Sequence, residues 1–355
     1  MSRKIVVLAG DGIGPEIMAA ALDVFHQLIQ IKQWDFILEE EPFGGKGIDV
    51  AGEPFPDKTK KACETADAIL LGAIGGPKWD KAPERPEQGL LALRKQLKLY
   101  ANIRPIQMSP VLTDFSPLRP EIVSGADFVI VRELTGGIYF GKPRTRTDEA
   151  ALDTCRYEKN EIQRILRYAF QLAQTRRKKV TSVDKANVLA TSKLWRQVAE
   201  EVAQEFPECE LEHQFVDSAA MSLIKEPRRF DVVVTENLFG DILSDEASMI
   251  PGSLGVMPSA SHSIDGPSLY EPIHGSAPDI AGLGIANPVS MLRSLAMMLR
   301  ESFKEREAAD WIETACTEVM EEGIFTKDLG GTATTQSFTK AVQAKIRRKT
   351  DGNTI

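Results

Sequence analysis

The hydrophobic positions of this chain follow two rhythms. Short apolar runs appear near residues 5–9, 36–38, 68–71, 128–131 and 232–234, as expected of strands buried on both faces, and further strands are read at 180–183 and 211–216, where polar residues interrupt the apolar ones. Between them the apolar residues recur at helical spacing. The first such stripe is Ile17, Ala21, Val24, Phe25 and Leu28, entered through Pro15, whose missing N–H costs nothing in a first turn. Further helices are predicted over 57–66 (with Asp57 as cap), over the run PEQGLLALRKQL, and over 161–175, 192–205, 289–303, 308–322 and 337–348. Gly- and Pro-rich stretches predict loops at 44–57 and 252–288, and Tyr139 is placed on a strand after a glycine turn. The polar segment 143–160 reads as an arm reaching another subunit. Strands alternating with helices indicate an α/β fold with a largely parallel sheet. No internal repeat is evident.

The densest chemistry lies in FDVVVTENLFGDILSDEASM, residues 230–249. A buried strand turns through Glu236 and Asn237 into a helix carrying Asp241 and Asp245, which share one face at a spacing of four. Two carboxylates so placed repel each other unless a cation lies between them. Oxygen ligands without His or Cys suit Mg²⁺ or Mn²⁺, and Asp217, after another apolar run, is a third candidate. A solvated acidic helix face is the alternative. Three arginines stand at comparable places. Arg94 shares a helix face with Glu87, Leu90 and Leu91, Arg104 lies in NIRP, and Arg132 ends DFVIVREL. Guanidinium groups buried near element ends need anions, and they pair with carboxylates in bidentate fashion. A substrate with more than one carboxylate follows, against the alternative of three surface arginines.

Composition narrows the class. The 355 residues, 43% hydrophobic and 26% charged, make an ordinary globular chain of one or two domains. A net charge of −8 and no basic stretch beyond the short AVQAKIRRKT tail argue against nucleic acid as a partner. No apolar run approaches the roughly 20 residues of a membrane span, and MSRKIVVLAGDG has no signal-peptide pattern. Cys63, Cys155, Cys209 and Cys316 are scattered without a CxxC pair, as in a cytoplasmic protein with reduced thiols. Gly10, Gly12 and Gly14 alternate and do not fit the G-x-G-x-x-G pyrophosphate pattern. A tight turn, or a loop bordering another cofactor site, is expected there.

GDGIGPE, LRKQLKLYANIRP, GIYFG, VDKANV, NLFGDILSD and HGSAPDIAG occur in this order, and together they resemble the β-decarboxylating dehydrogenases from Lys4 to about Phe338. These enzymes oxidise 2-hydroxy acids such as 3-isopropylmalate, isocitrate, homoisocitrate and tartrate. The resemblance implies a two-domain fold with a mixed, largely parallel sheet that is not a Rossmann fold. Residues 1–99 and 252–355 would form the cofactor domain, and 100–251 the substrate, metal and dimerisation domain, with the active site in the interdomain cleft. GLLALR points to the branch acting on 3-isopropylmalate in leucine biosynthesis, with Leu90 and Leu91 against the isopropyl group. Other 3-substituted malates, or a non-catalytic regulatory subunit, are the alternatives.

Carried over residue by residue, Arg94, Arg104 and Arg132 would hold the substrate carboxylates. Tyr139 and Lys185 would form the acid–base pair, and Asp217, Asp241 and Asp245 the metal set. Asp217, Lys185 and Val188 would reach across a homodimer with shared sites, Asp217 also contacting substrate. NAD would lie against His274, Gly275, Ser276, Ala277, Asp279, Ile280 and Asn287, with Gly255 and Glu87 at its border. Asp279 would repel the 2′-phosphate of NADP, whose users carry Lys and Tyr where this chain has Asp279 and Ile280. An assisting monovalent cation, as in some relatives, stays open. The chain departs from the family at Ser218, where Asn is commoner and where the change bears on how Asp217 is oriented, at Leu283, often Lys, and at Arg293, on a helix often more apolar.

Overall fold

Arg3–Gly10 forms the first strand (β1) because four successive apolar residues, Ile5 to Leu8, all need cover. It is followed by α1 (Gly14–Lys32), β2 (Phe36–Glu40), α2 (Gly45–Ala51), α3 (Asp57–Glu64), β3 (Ala68–Ala73) and α4 (Pro86–Gln96). Then come β4 (Ala101–Gln107), the short α5 (Pro120–Val123), β5 (Asp127–Glu133) and two-residue strands β6 (Thr145–Arg146) and β7 (Ala151–Leu152). The chain continues through α6 (Lys159–Gln174), β8 (Lys179–Asp184), α7 (Ala190–Ala203), β9 (Glu210–Phe215), α8 (Val216–Lys225), β10 (Val232–Thr235) and α9 (Asn237–Ser248). It ends with β11 (Pro258–His262), β12 (Ser268–Pro272), α10 (Val289–Glu301), α11 (Arg306–Glu321) and α12 (Thr335–Gly352). This computed structural model describes residues 2–352, with side chains to residue 349.

The chain divides into two compact units, Met1–Lys98 with Ser253–Ile355, and Leu99–Gly252. In the first, the strands lie in the order β2-β1-β3-β12-β11, parallel except for the β11–β12 hairpin. Helix α10 packs against that hairpin on one side and against α11 on the other. Ten of its thirteen residues are therefore buried, and only Arg293, Arg300 and Glu301 reach toward solvent. Its buried serines still find acceptors: Ser294 Oγ donates to the Glu271 carbonyl at 2.8 Å, and Ser290 Oγ to that of Met257.

In the second unit the order is β4-β5-β10-β8-β9, parallel except for β4–β5. Strand β10 lies in the middle, and Val232, Val233 and Val234 are buried. Burying each valine contributes on the order of 1.5–2 kcal/mol. This central strand delivers the chain into α9.

Four local expectations differ from the structure. The glycine-rich stretch 44–57 is not all loop, because α2 forms within it. Its first N–H groups are satisfied from a distance: Asp11 accepts from Gly45 N and Lys46 N, both at 2.8 Å. Asp57 does not cap α3. The cap position is Pro56, and the Asp57 carboxylate pairs with Lys60 at 2.9 Å. The segment 252–288 contains the β11–β12 hairpin, whose alternate polar residues had read as loop. The polar arm likewise carries the small β6–β7 ladder.

Candidate functional site

Helix α9 begins where Glu236, at its N-cap, accepts from the Phe239 N–H at 2.9 Å. Asp241 and Asp245 follow one turn apart. Arg132, opposite Thr235 in the β5–β10 register, runs along this helix. Gly240 permits the approach, since a Cβ there would lie 2.7 Å from Arg132 Cγ. The guanidinium donates from Nε and Nη2 to Asn237 Oδ1 at 3.1 and 2.9 Å, and pairs through Nη1 with Asp241. Arg104, on β4, donates to Ser244 Oγ at 2.5 Å, to Asp245 Oδ1 at 3.1 Å and to Asn102 Oδ1 at 2.9 Å. Within one chain, then, two of the arginines meet two of the carboxylates. These charges answer each other inside the chain.

Tyr139 donates to the second Asp241 oxygen at 2.8 Å. It sits in a single 3-10 turn, Gly137–Tyr139, and not on a strand. The turn is pinned from two sides. Fully buried Glu133 accepts from Thr135 N at 2.8 Å, Thr135 Oγ1 at 2.5 Å and Gly136 N at 2.8 Å. Tyr157 packs on the other side, where a Cβ on Gly137, whose φ is +76°, would meet its hydroxyl at 2.3 Å. Burial, then the Asp241 carboxylate, pushes the Tyr139 phenol up to about 12, so it holds its proton at neutral pH. Burial also raises the Glu133 carboxyl above its ordinary range.

Lys185, just after β8, donates to Asp217 Oδ1 at 2.5 Å, and this bond holds the Asp217 carboxyl below its usual value. Asp217 lies in the first turn of α8 with most of its side chain exposed, beside Ser218, which accepts from Gln214 Nε2 at 3.3 Å. Among the described residues of one chain, no three carboxylate, His or Cys side chains converge to hold a metal. Val188 is 65% exposed.

The remaining candidates lie in the first unit. On α4, Leu90, Leu91 and Arg94 are half-buried and Glu87 is exposed. Arg94 pairs with Glu271 of β12 at 3.3 Å, while its Nε is buried without a hydrogen-bond partner. Around residue 274, His274 Nδ1 lies 2.9 Å from the Gly275 carbonyl and its buried Nε2 has no partner. Burial lowers this imidazole's pKa and favours its neutral form. Ser276 is buried against the first glycine loop and its carbonyl accepts from Ile13 N at 2.8 Å. That loop therefore borders the 274–280 segment. Ala277 (φ +38°), Asp279 and Ile280 form an open turn with Asp279 exposed. Asn287 donates to Asp328 at 2.9 Å and lies against Gly255. Arg293 donates to the Val256 carbonyl at 2.9 Å, which accounts for a charge on this helix.

Sequence reasoning assigned no role to Glu133, Tyr157, Asn237, Ser244, Glu271 or Asp328. Glu133 alone left a signal, a carboxylate at the end of an apolar strand.

A family model for isocitrate/isopropylmalate dehydrogenase matches residues 4–342. The chain is 63% identical to the 3-isopropylmalate dehydrogenase of Streptococcus thermophilus over 98% of its length and 100% of the relative's. It is 61% identical to that of Listeria monocytogenes, over 98% of this chain and 99% of the other. Among solved structures, isocitrate dehydrogenase from Methylococcus capsulatus superposes with a TM-score of 0.87 at 37% identity, covering 97% of this chain and 99% of that one. A β-decarboxylating dehydrogenase from Thermococcus kodakarensis gives 0.80 at 34%, covering 98% and 96%.

Proposed function

The chain belongs to the isocitrate/isopropylmalate dehydrogenase family, and from that premise we propose that it oxidises and decarboxylates 3-isopropylmalate with NAD in leucine biosynthesis. The products are CO₂ and 4-methyl-2-oxopentanoate. The observation that carries the reading is identity of 63% across the full length of a relative named for that activity. Leu90 and Leu91 beside Arg94 support a branched alkyl substituent.

The residues fit the groups this chemistry needs. Asp241 and Asp245 offer hard oxygens suited to Mg²⁺ or Mn²⁺, with Asp217 of the partner subunit as third ligand. The orphaned His274 Nε2, the open turn at Asp279, and Asn287 suit the adenosine of NAD. When bound, the cation polarises the C2 hydroxyl and NAD accepts the hydride.

The chain's own residues then have distinct tasks. Arg94, Arg104 and Arg132 bind the carboxylates and fix the acid's orientation. Leu90 and Leu91, with Val188 of the partner subunit, exclude water around the alkyl group. Lys185 of the partner subunit takes the hydroxyl proton. Tyr139 keeps its proton at neutral pH and delivers it to carbon after CO₂ departs.

Exposed Met221 and Ile224 on α8, with Ile242 on α9 and Met249 just after it, support the homodimer this assignment requires. The reduced thiols fit a cytoplasmic protein, and no helix among the described residues is long and apolar enough to cross a membrane.

The test is NADH formation from racemic 3-isopropylmalate, NAD and Mn²⁺, beside isocitrate, malate and tartrate and an EDTA control. Metal-dependent turnover strongest with 3-isopropylmalate is expected. Better turnover of another acid would overturn the substrate assignment.

A further inference from the structure

Asn237 is 1% exposed, is not needed to start α9 (Glu236 does that), and is assigned no role in the reaction above. Its amide nevertheless joins two parts of the site. Oδ1 accepts both Arg132 Nε and Arg132 Nη2, so it holds one edge of the guanidinium and leaves the opposite edge, Nη1, toward Asp241. Nδ2 donates to the Gly136 carbonyl at 3.3 Å, one residue before the turn that carries Tyr139. The backbone of Asn237 is itself anchored, since its N–H donates to Tyr157 Oη at 2.9 Å. Tyr157 Oη in turn donates to Glu236 Oε2 at 2.9 Å. The Tyr157 ring packs on Gly136 and Gly137, so closely that a Cβ on either would overlap it. It also meets Trp195 edge-on at 5.9 Å between centroids.

Two properties make this more than a capping network. An amide accepts through its oxygen and donates through a separate nitrogen, so one short side chain can take two guanidinium N–H groups and bond a carbonyl at once. A carboxylate at 237 would keep the Arg132 bonds but set oxygen against the Gly136 carbonyl. It would also compete with the substrate for the positive charge. The whole hub is dry: Tyr157, Asn237, Glu236 and Arg132 are all less than one-tenth exposed. Hydrogen bonds shielded from water hold geometry more firmly than exposed ones do.

We propose that Asn237, held by Tyr157, is the positioning residue that sets the orientation of Arg132 and of the Tyr139 turn together. A substrate carboxylate and the proton donor then keep a constant relation. The proposal rests on the reading that Arg132 binds substrate and Tyr139 supplies the proton. It predicts a specific kinetic pattern, because the amide touches the hydroxy-acid end of the site and nothing assigned to NAD.

The experiment compares Asn237→Ala and Tyr157→Phe with wild type, using 3-isopropylmalate, NAD and Mn²⁺, with thermal melting run alongside. In Asn237→Ala the KM for 3-isopropylmalate should rise at least about tenfold, the scale of a lost hydrogen bond to a charged group. Its kcat should fall about tenfold as the Tyr139 turn loses its anchor. The KM for NAD should stay within about twofold. Tyr157→Phe keeps both amide bonds and removes the anchor on the backbone together with the hydroxyl's bond to Glu236. It should move the same two constants the same way by about threefold, and it serves if the alanine variant does not fold. Folded variants with both constants within twofold of wild type would overturn the assignment. So would a KM for NAD that rises in step with that for the hydroxy acid, the mark of general loosening. Wild-type protein that fails to oxidise 3-isopropylmalate would instead refute the functional reading on which the proposal stands.

Discussion

Replacing Gly240 by alanine sets two effects of similar size against each other. In the interior of α9, alanine is favoured over glycine by about 1 kcal/mol. The new Cβ, however, would lie 2.7 Å from Arg132 Cγ and 2.8 Å from Arg132 Cβ. Ordinary contact begins at 3.4 Å, so 3.4 − 2.7 leaves about 0.7 Å to be found. Arg132 cannot withdraw at its backbone, because β5 is held in register on both sides. The helix or the guanidinium must move, at the cost of about 1–3 kcal/mol typical of overpacking. The net loss is about 0–2 kcal/mol, a fall in Tm of no more than about 8 °C at 2–4 °C per kcal/mol.

The effect on binding is larger than the effect on folding. Bonds of 2.9 and 3.1 Å to Asn237 stretched by about 0.7 Å leave hydrogen-bond range. The KM for 3-isopropylmalate should therefore rise about tenfold while the KM for NAD holds. Calorimetric melting and steady-state NADH formation measure both. A variant as stable as wild type with an unchanged hydroxy-acid KM would refute the argument that Arg132 is held by this packing in order to bind substrate.

Lys185→Met and Tyr139→Phe should each lower kcat at least about tenfold and leave the melting profile close to wild type, since both side chains lie at the edge of the core; full activity in both would sink the acid–base assignment. Asp245→Asn should raise the Mn²⁺ concentration needed for half-maximal rate, because Asp245 faces solvent and its loss removes a ligand more than a structural contact; an unchanged titration counts against its role. Glu133 has a raised carboxyl pKa in the folded chain, so its neutral form contributes stability that is present below about pH 4.5 and lost as pH rises through the folded value. The Tm of wild type minus that of Glu133→Gln should accordingly be largest near pH 4.5 and shrink toward neutrality. A difference that grows with pH would show that the three hydrogen bonds to the carboxylate outweigh its desolvation.

What the sequence determined by itself was local. Short runs rich in apolar residues demanded burial on both faces and became β1, β3, β5, β8 and β10. Helical stripes became α1, α4, α6, α7 and the last three helices, because periodicity is a property of neighbouring residues. The spacing of Asp241 and Asp245 likewise placed them on one helix face before any fold was known. Local signals failed where a partner lay far away. Helix α2 forms in a stretch that reads as loop because Asp11, 34 residues earlier, supplies the acceptor its first N–H groups lack. Tyr139 belongs to a turn instead of a strand because buried Glu133 and Tyr157 hold it there. The electrostatics of the site were decided entirely by tertiary structure. Carboxylates and arginines each seemed to need an outside partner, yet Arg132 meets Asp241 across 109 residues and Arg104 meets Asp245 across 141. Strand order, not local pattern, sets β5 beside β10 and β4 beside β5, and so carries both guanidinium groups to α9. Asp217 stays with Lys185, 32 residues away, and does not join the other two carboxylates within the chain. Which charge answers which is a non-local property: it is fixed by the order in which buried strands pair, and no window of sequence contains it.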